Sequence, residues 1–320
     1  MKINKLSIAL LLAPLFVVGC SNDKKKFFED ERYEKMLYIV SDDKNIHELV
    51  YDLDGKDNNT RYISIACSGT NPTTEAAELS LKEDDILFDQ YNYTNFVEDK
   101  SRFAIKMDTK DYEVKTENII YPAGAQYTLV PIKIEMSVIE SLNPDKTYFI
   151  PVAINNSSPY SVVKKKVNAL MRVQRKNKYT NTATPVNYNT SGYEGIGYFS
   201  ITKTMVPLTK NQVRINIGTK RLPAEPENQP EFILKNTVVI EVAEDNTLTV
   251  KPYDPISMEV ETLSNTELHP GDGAYGLYTN KFDPKTTSFF VYYKYKLKSG
   301  GGWTEMREAI RLPIIDLGDR

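Results

Sequence analysis

The most constraining feature of this sequence is a strict alternation of apolar and polar side chains near its carboxy terminus. Residues 289–297 alternate with a period of two, and Ser299-Gly300-Gly301-Gly302 follows directly. Alternation of this kind is typical of a strand with one buried face, and a glycine-rich turn reverses it into a hairpin. We expect Phe289, Val291, Tyr293, Tyr295, Leu297, Met306, Ile310 and Leu312 to face inward. We expect Phe290, Tyr292, Lys294, Lys296, Lys298, Trp303, Glu305, Arg307 and Arg311 to face outward.

Shorter runs of the same type recur through the chain, whereas helical spacing is confined to residues 83–96 and 137–142. The 33 Tyr and Phe residues, the single Trp, 17 Pro and 15 Gly also favour strands separated by turns. The sequence therefore predicts an all-β protein. We expect an immunoglobulin-like β-sandwich at 36–176, a polar linker at 177–191 and a C-terminal antiparallel β-barrel or sandwich at 192–320.

The amino terminus has the layout of a bacterial lipoprotein signal. Lys2 and Lys5 precede the uncharged run Leu6–Val18, whose thirteen residues are too few to cross a bilayer. Val17-Val18-Gly19-Cys20 is similar to a lipobox, which predicts a signal peptide at 1–19, lipidation of Cys20 and a lipid-anchored tether at 20–35. The alternative is a non-lipidated signal followed by an incidental cysteine.

Composition excludes several classes of function. Without the first 19 residues, which contain two lysines and no acid, the net charge is near −5, so a nucleic-acid binder is not expected. His47, His269, Cys20 and Cys67 are too few for the usual zinc sites, and lipidation of Cys20 leaves no intramolecular disulfide. Asp52, Asp54 and Asp57 permit a calcium loop, but a plain hairpin turn is favoured. We therefore predict no metal site and no cofactor.

Catalytic signatures are equally scarce, because no carboxylate pair, serine triad or phosphate loop is placed by a motif. We predict no catalytic residue. Exposed aromatic rings with nearby hydrogen-bonding groups are the residues that bind sugars by stacking. The candidate glycan-binding residues are Trp303, Tyr275, Tyr278, Tyr292 and Arg307, with Tyr188 and Tyr193 as weaker candidates. The alternative is that these aromatics fold over the end of a β-core.

Several short motifs together resemble a known family. They are Tyr91-Asn92, Tyr121-Pro122-Ala123-Gly124, residues 130–134 and residues 148–154, followed in the second half by Gly192-Tyr193-Glu194-Gly195, residues 282–286, 290–293 and 307–311. The first set resembles the β-sandwich domain of unknown function that begins many Bacteroidetes lipoproteins and precedes the catalytic barrel of some family-18 endo-β-N-acetylglucosaminidases. The second set resembles the companion β-rich domain.

This resemblance implies a lipoprotein of a polysaccharide-utilisation system, similar in role to SusE-like surface glycan-binding proteins that accompany an outer-membrane transporter. No catalytic barrel follows, so the resemblance carries no enzymatic implication. Lys24-Lys25-Lys26 departs from the acidic residues that follow the lipidated cysteine in surface-displayed relatives. We expect a non-catalytic, lipid-anchored outer-membrane protein that captures oligosaccharide at the cell surface. The alternative is a structural or adhesive surface lipoprotein that binds protein partners and no sugar.

Overall fold

A computed structural model describes residues 34–55, 58–221, 229–264 and 276–313. The predicted signal peptide, Cys20, most of the tether, Asp57, His269 and Tyr275 lie outside the described residues. The N-terminal half contains β1 Met36–Ile39, β2 Ile46–Asp52, β3 Thr60–Cys67, β4 Ala77–Lys82, β5 Ile105–Lys106, β6 Glu113–Val114, β7 Ile119–Tyr121, β8 Tyr127–Lys133, β9 Tyr148–Ser158, β10 Ser161–Val162 and β11 Asn168–Lys176. Its helices are α1 Asp85–Phe96 and α2 Met136–Ser141, with 3₁₀ turns at Lys100–Arg102, Thr109–Asp111 and Lys164–Lys166.

Two sheets form the N-terminal sandwich. One sheet has the strand order β10-β1-β3-β8-β6, and the other has the order β2-β11-β9-β4-β7 with β5 added against β9. Alternate side chains of both sheets meet in one apolar core that includes Leu37, Ile63, Tyr121 and Ile150. The expected all-β class is thereby confirmed.

The expected helix at 83–96 is also confirmed as α1. Asp84 caps its N-terminus by accepting a hydrogen bond from the Ile86 backbone N–H at 3.1 Å. Within the helix, Tyr91 packs edge-to-face on Phe149 with ring centroids 4.8 Å apart. These contacts attach α1 to the outer face of the second sheet.

The segment between the first two predicted strands differs from a plain hairpin turn. β1 and β3 pair directly, with Leu37 opposite Cys67, while the intervening β2 lies in the other sheet and runs parallel to β11. Asp52 accepts a hydrogen bond from the Asp54 N–H at 2.9 Å, and so closes the turn after β2. Throughout the described ranges no group of three or more His, Cys, Asp or Glu residues is arranged to hold a metal ion.

The C-terminal half is a second two-sheet structure. Its strands are β12 Asn187–Glu194, β13 Gly197–Thr204, β14 Val206–Thr209, β15 Gln212–Asn216, β16 Thr237–Val242, β17 Leu248–Pro252, β18 Met258–Thr262, β19 Lys281–Asp283, β20 Ser288–Leu297 and β21 Thr304–Arg311, with helix α3 at Pro230–Asn236. A six-stranded sheet has the order β13-β12-β21-β20-β18 with β19 added to β20, and a four-stranded sheet has the order β14-β15-β16-β17. Thr262 Oγ1 exchanges hydrogen bonds with the backbone of Val250 and so joins β18 to β17.

The carboxy-terminal hairpin forms in the predicted register. Phe289 lies opposite Ile310 and Tyr293 opposite Met306, and all four side chains are buried in the second core. Leu312, predicted to continue the inward set, lies beyond the end of β21 and is exposed. Tyr292 lies on the outer face of the sheet, as predicted. Its ring is nevertheless buried and not exposed to solvent.

Residues 177–191 are not the solvated linker that their polar composition suggests. β12 begins at Asn187, and the rings of Tyr179 and Tyr188 are buried in the second core, where Tyr188 donates a hydrogen bond to the Tyr179 carbonyl. Asn177 donates to the carbonyls of Thr209 and Gln212. The polar residues of this segment therefore satisfy backbone groups of the second domain rather than water.

Candidate functional site

The outer face of the six-stranded sheet carries a row of aromatic and cationic side chains. Tyr193 on β12 lies opposite Tyr198 on β13 and opposite Arg307 on β21, and Arg307 in turn lies opposite Tyr292 on β20. Residues that are directly opposite each other in a sheet project to the same face. We call Tyr198, Tyr193, Arg307 and Tyr292 the aromatic row.

Direct contacts hold the exposed end of this row together. The rings of Tyr193 and Tyr198 meet edge-to-face with centroids 5.5 Å apart, and the Arg307 guanidinium lies 5.3 Å from the Tyr193 ring centroid. Arg307 Nη2 also donates a hydrogen bond to the Gly195 carbonyl at 3.2 Å. Tyr198 is 65% exposed, so the row presents an aromatic ring to solvent, and Tyr193 lies between this ring and the half-buried Arg307.

Glycine at position 192 permits this arrangement. A Cβ atom at Gly192 would lie 1.8 Å from the carbonyl oxygen of Arg307, which no side-chain-bearing residue can tolerate at this strand spacing. The next turn, residues 194–197, includes Gly195 with a positive φ of 58°. These two glycines let β12 approach β21 and then turn into β13, which places Tyr193 beside both Tyr198 and Arg307.

The end of the aromatic row at Tyr292 is buried. Tyr278 and Tyr292 are buried together with Leu263 and Ala309, and Tyr193 packs against this cluster. Asn280 fixes it in place, because its Nδ2 donates to the Leu263 carbonyl and its Oδ1 accepts from the Tyr292 N–H. Burial raises the pKa of Tyr278, with a further contribution from Tyr193, while Arg307 and Arg311 oppose the shift.

Tyr278 and Tyr292 are therefore not free stacking platforms, which corrects the expectation of exposed rings at these positions. The Tyr292 hydroxyl lies 3.3 Å from Glu305 Oε2. The physical reason for the correction is that residues 263 and 276–280 pack on the outer face of the hairpin, a contact between segments that are distant in sequence. The two tyrosines form a buried cluster beside the strand position of Arg307, which lies opposite Tyr292.

Trp303 marks the far end of the same face. It is 44% exposed, as expected for a ring near the surface, and the Lys294 ammonium lies 5.0 Å from its ring centroid. Lys294 also pairs with Glu261 at 2.9 Å. Trp303 is four residues before Arg307, which corresponds to about 13 Å along an extended strand.

Four of the five candidate residues thus lie on one sheet face, namely Trp303, Tyr278, Tyr292 and Arg307. Tyr275 lies outside the described residues. Sequence reasoning misses Tyr198 and ranks Tyr193 too low, because it assigns residues 177–191 to a linker that ends just before them. The alternation along residues 198–202, with Phe199 and Ile201 apolar between Tyr198, Ser200 and Thr202, is the sequence pattern that could have identified Tyr198.

The opposite side of β21 is closed to ligands. Glu308 faces the core and pairs with Lys203, and both side chains are at most 1% exposed. Tyr293 donates a hydrogen bond to Glu308 Oε1 at 2.8 Å, and burial raises the pKa of this tyrosine well above its usual value. Burial lowers the pKa of Lys203, and Glu308 opposes that shift. Glu308, Lys203 and Tyr293 are enclosed by the second core and bond to one another.

Of the helices in the described segments, none is both long enough and apolar enough to span a membrane.

The fold and this face define a class: a two-domain all-β protein whose C-terminal sheet presents aromatic and cationic side chains. A family model for an N-terminal domain matches residues 33–161, and the model for the C-terminal domain that accompanies it matches residues 167–311. The chain belongs to this two-domain family. The resemblance to a family built from this pair of domains is thereby confirmed. No curated protein matches the sequence.

Several solved structures share the fold. A Bacteroides ovatus protein of unknown function is 16% identical with a TM-score of 0.56, covering 88% of this chain and 94% of its own. A second Bacteroides ovatus protein of unknown function is 13% identical with a TM-score of 0.55, covering 91% and 93%. An auxiliary nutrient binding protein from Bacteroides thetaiotaomicron is 11% identical with a TM-score of 0.52, covering 85% and 92%. These likenesses extend over both domains.

Proposed function

We propose that this protein is a non-catalytic glycan-binding lipoprotein, which captures oligosaccharide for the importer of a polysaccharide-utilisation system. The observation that carries the proposal is the aromatic row, where the exposed Tyr198 ring stands beside the Tyr193 ring and the Arg307 guanidinium. A sugar ring stacks on an aromatic face, while guanidinium and hydroxyl groups bond to its hydroxyls. The likeness to an auxiliary nutrient binding protein supports the same role.

A binding role without catalysis fits the chemistry of three described acids on β18 and β21. Glu261 is paired with Lys294, and Glu305 lies within reach of the Tyr292 hydroxyl. Glu308, the most buried of the three, is neutralised by Lys203 inside the core. A glycosidase needs two carboxylates that flank a substrate bond, one of them protonated. The arrangement favours capture rather than hydrolysis.

The location follows from the sequence. Lipidation of Cys20 would anchor the mature chain in the outer membrane, and residues 21–35 would connect the anchor to β1. The proposed partners are an oligosaccharide at the aromatic row and an outer-membrane transporter complex beside the protein. Labelled palmitate should enter the wild-type protein in a Bacteroides host and should be absent from Cys20→Ala. Labelling of the variant would contradict anchoring at this cysteine.

Affinity electrophoresis tests glycan capture directly. The mature chain without Cys20 would run through gels that contain plant, algal and host glycans, together with the variants Tyr198→Ala and Trp303→Ala. Loss of one stacking ring should weaken binding by about 1 kcal/mol, or roughly fivefold. Tyr62→Ala is the matched control, since Tyr62 is an exposed ring on the N-terminal domain. Retardation that is relieved in Tyr198→Ala but not in Tyr62→Ala would support the site.

The absence of retardation by every glycan in the panel would end the proposal. A specific observation favours the second candidate in that case, a structural or adhesive lipoprotein that holds a protein partner. The outer face of the first N-terminal sheet exposes Tyr62, Tyr127 and Leu129, and cross-strand pairing places all three on the same face. A flat apolar face of this kind is typical of protein contact surfaces.

A further inference from the structure

Two arginines stand on the outer face of β21 without acidic partners. Arg307 and Arg311 project to the same side, separated by Ala309, and no carboxylate within the described segments forms an ion pair with either. The Arg307 guanidinium lies over Tyr193, and the Arg311 guanidinium lies 5.3 Å from the Phe290 ring centroid. Both guanidinium groups are thus held in place by aromatic rings rather than by salt bridges.

On the β12 side, the surface beside these arginines is polar and uncharged. Outward positions on β12 and β13 continue the face from β21, and their pairing is fixed by the strand register. These positions hold Asn189, Ser191, Tyr193, Tyr198, Ser200 and Thr202. Amide and hydroxyl groups therefore flank the two positive charges on the β12 side, and Glu305, two residues before Arg307, is the acid that β21 itself places on this face.

The charge of this surface is opposite to that of the whole chain. The protein has a net charge of −3, yet the outer face of β21 carries two cations, Arg307 and Arg311, against one acid, Glu305, whose carboxylate accepts a hydrogen bond from Tyr292. Near Trp303 the charges are balanced instead, because Lys294 pairs with Glu261. An arginine fork matches the geometry of a carboxylate or a sulfate ester, and ion pairing to it is stronger than a neutral hydrogen bond. The favourable ligand is therefore anionic as well as hydroxylated.

We infer that the oligosaccharide captured at the aromatic row is acidic, with its anionic groups held by Arg307 and Arg311 and its hydroxyls by the neighbouring amide and hydroxyl side chains. This inference rests on the proposed function, because it names the substrate class of the same face. The anionic group of the sugar is a uronic acid carboxylate or a sulfate ester. Tyr198, which is separated from Arg307 by Tyr193, supplies the stacking surface.

The test compares two polymers that differ only in charge. Polygalacturonic acid and fully methyl-esterified homogalacturonan share a backbone, and dextran sulfate with dextran forms a second pair. Affinity electrophoresis of the mature chain, without Cys20, should show retardation by the acidic member of a pair only. Raising the salt concentration from about 20 to 200 mM should weaken that retardation, because salt screens an ionic contact that is exposed to solvent.

Variants of the arginines locate the contact. Arg311→Gln should weaken binding by about tenfold, since a hydrogen bond to a charged group is lost. Arg307→Lys keeps the charge but removes the fork, and it should weaken binding by a smaller factor. Lys164→Ala is the matched control for total charge, because Lys164 is an exposed cation on the N-terminal domain. Circular dichroism of each variant confirms that the fold is retained.

The outcomes separate this inference from the proposed function. Equal retardation by the methyl-esterified polymer, lost in Tyr198→Ala but not in Arg311→Gln, would overturn the acidic ligand while glycan capture stands. Equal losses in Lys164→Ala and Arg311→Gln would show nonspecific charge binding and overturn the inference as well. Retardation by dextran sulfate alone, lost in Arg311→Gln, would support it and identify the sulfate ester as the anionic group. No retardation by any polymer in the wider panel would overturn both.

Discussion

Lys203 and Glu308 are the residues whose position is hardest to reconcile with an apolar core, since both are fully buried. Lys203 also donates to the Asn216 carbonyl at 2.9 Å, and Glu308 accepts from Tyr293, so each charge is paired and hydrogen-bonded. Removing one partner leaves the other charge buried and uncompensated. We expect Lys203→Met to lower the free energy of unfolding by about 3–5 kcal/mol in urea titration.

The matched control is Lys251→Met, which breaks an exposed pair with Glu241 and should cost less than about 1 kcal/mol. The double variant Lys203→Met with Glu308→Leu should recover part of the loss, because an apolar pair removes both buried charges. A loss in Lys203→Met no greater than that in Lys251→Met would contradict the structural role of the buried pair.

Tyr188 gives a prediction about pH at the same scale. Burial, with a smaller effect of Tyr179, raises the pKa of Tyr188 to about 12, whereas an unfolded tyrosine ionises near pH 10. Above pH 10 the unfolded state therefore binds fewer protons than the folded state, so stability is complete below pH 10 and falls as the pH approaches 12. Tyr188→Phe should be less stable at pH 8 but should show a shallower decline over this range. If thermal denaturation shows the same decline in stability between pH 10 and 12 for Tyr188→Phe and for the wild-type protein, this prediction is wrong.

At the scale of elements, the local sequence pattern predicted the position of individual strands and helices. Alternation at residues 289–297 located β20 and its inward side, and the acidic start of residues 83–96 located α1. The pattern could not show that β2 crosses to the other sheet, because an alternating strand fits either sheet equally well. Nor could it show that Tyr278 covers Tyr292, since this contact joins residues 14 positions apart through a loop.

Pro151 illustrates the same limit. Proline in a strand predicts an edge or a bulge, because it lacks a backbone donor. β9 is a central strand whose pairing with β4 contains a register shift next to Ile154, and Pro151 lies between the residues that pair with β5 and those that pair with β4. Its partner on β11, Leu170, donates its backbone N–H to the Asn45 carbonyl, which lies on the side away from β9. The Pro151 nitrogen therefore points away from β11, toward the place between β5 and β4 where no strand pairs with it. The missing backbone donor of Pro151 is thus accommodated inside the sheet, at a position where no neighbouring strand needs that donor.

The β12–β13 hairpin gives a prediction at this scale. Gly192→Ala places a Cβ 1.8 Å from the Arg307 carbonyl oxygen, so β12 must move away from β21. We expect a loss of about 3 kcal/mol in unfolding free energy and the loss of glycan retardation. Gly197→Ala in the same hairpin is the control, because its Cβ would lie 3.5 Å from the nearest backbone oxygen, that of Glu194, and should change stability by only about 0.5 kcal/mol. Equal effects of both variants would contradict the role of close strand approach.

At the scale of the whole molecule, an ion pair joins the two domains. Asp145 lies in the N-terminal domain between α2 and β9, and both of its carboxylate oxygens accept hydrogen bonds from Arg214 on β15. Arg214 is buried, and its guanidinium lies 4.7 Å from the Tyr253 ring centroid. Within the N-terminal domain, Arg175 on β11 donates a hydrogen bond to the Leu142 carbonyl. The Asp145–Arg214 pair therefore ties the second domain to the first.

This coupling bears on the proposed capture of glycan, because the aromatic row lies on the second domain whereas the lipid anchor would precede the first. The ion pair keeps the row at a constant position relative to the first domain, which the tether would join to the anchor. Asp145→Asn leaves Arg214 buried without a countercharge and should lower unfolding free energy by about 3 kcal/mol. Calorimetry should then resolve two transitions where the wild-type protein unfolds in one, and X-ray scattering should report a broader distribution of domain orientations. Glu135→Gln, which removes only the surface pair with Lys133, should leave both measurements unchanged. A single transition and an unaltered scattering profile in Asp145→Asn would show that the other contacts between the domains suffice.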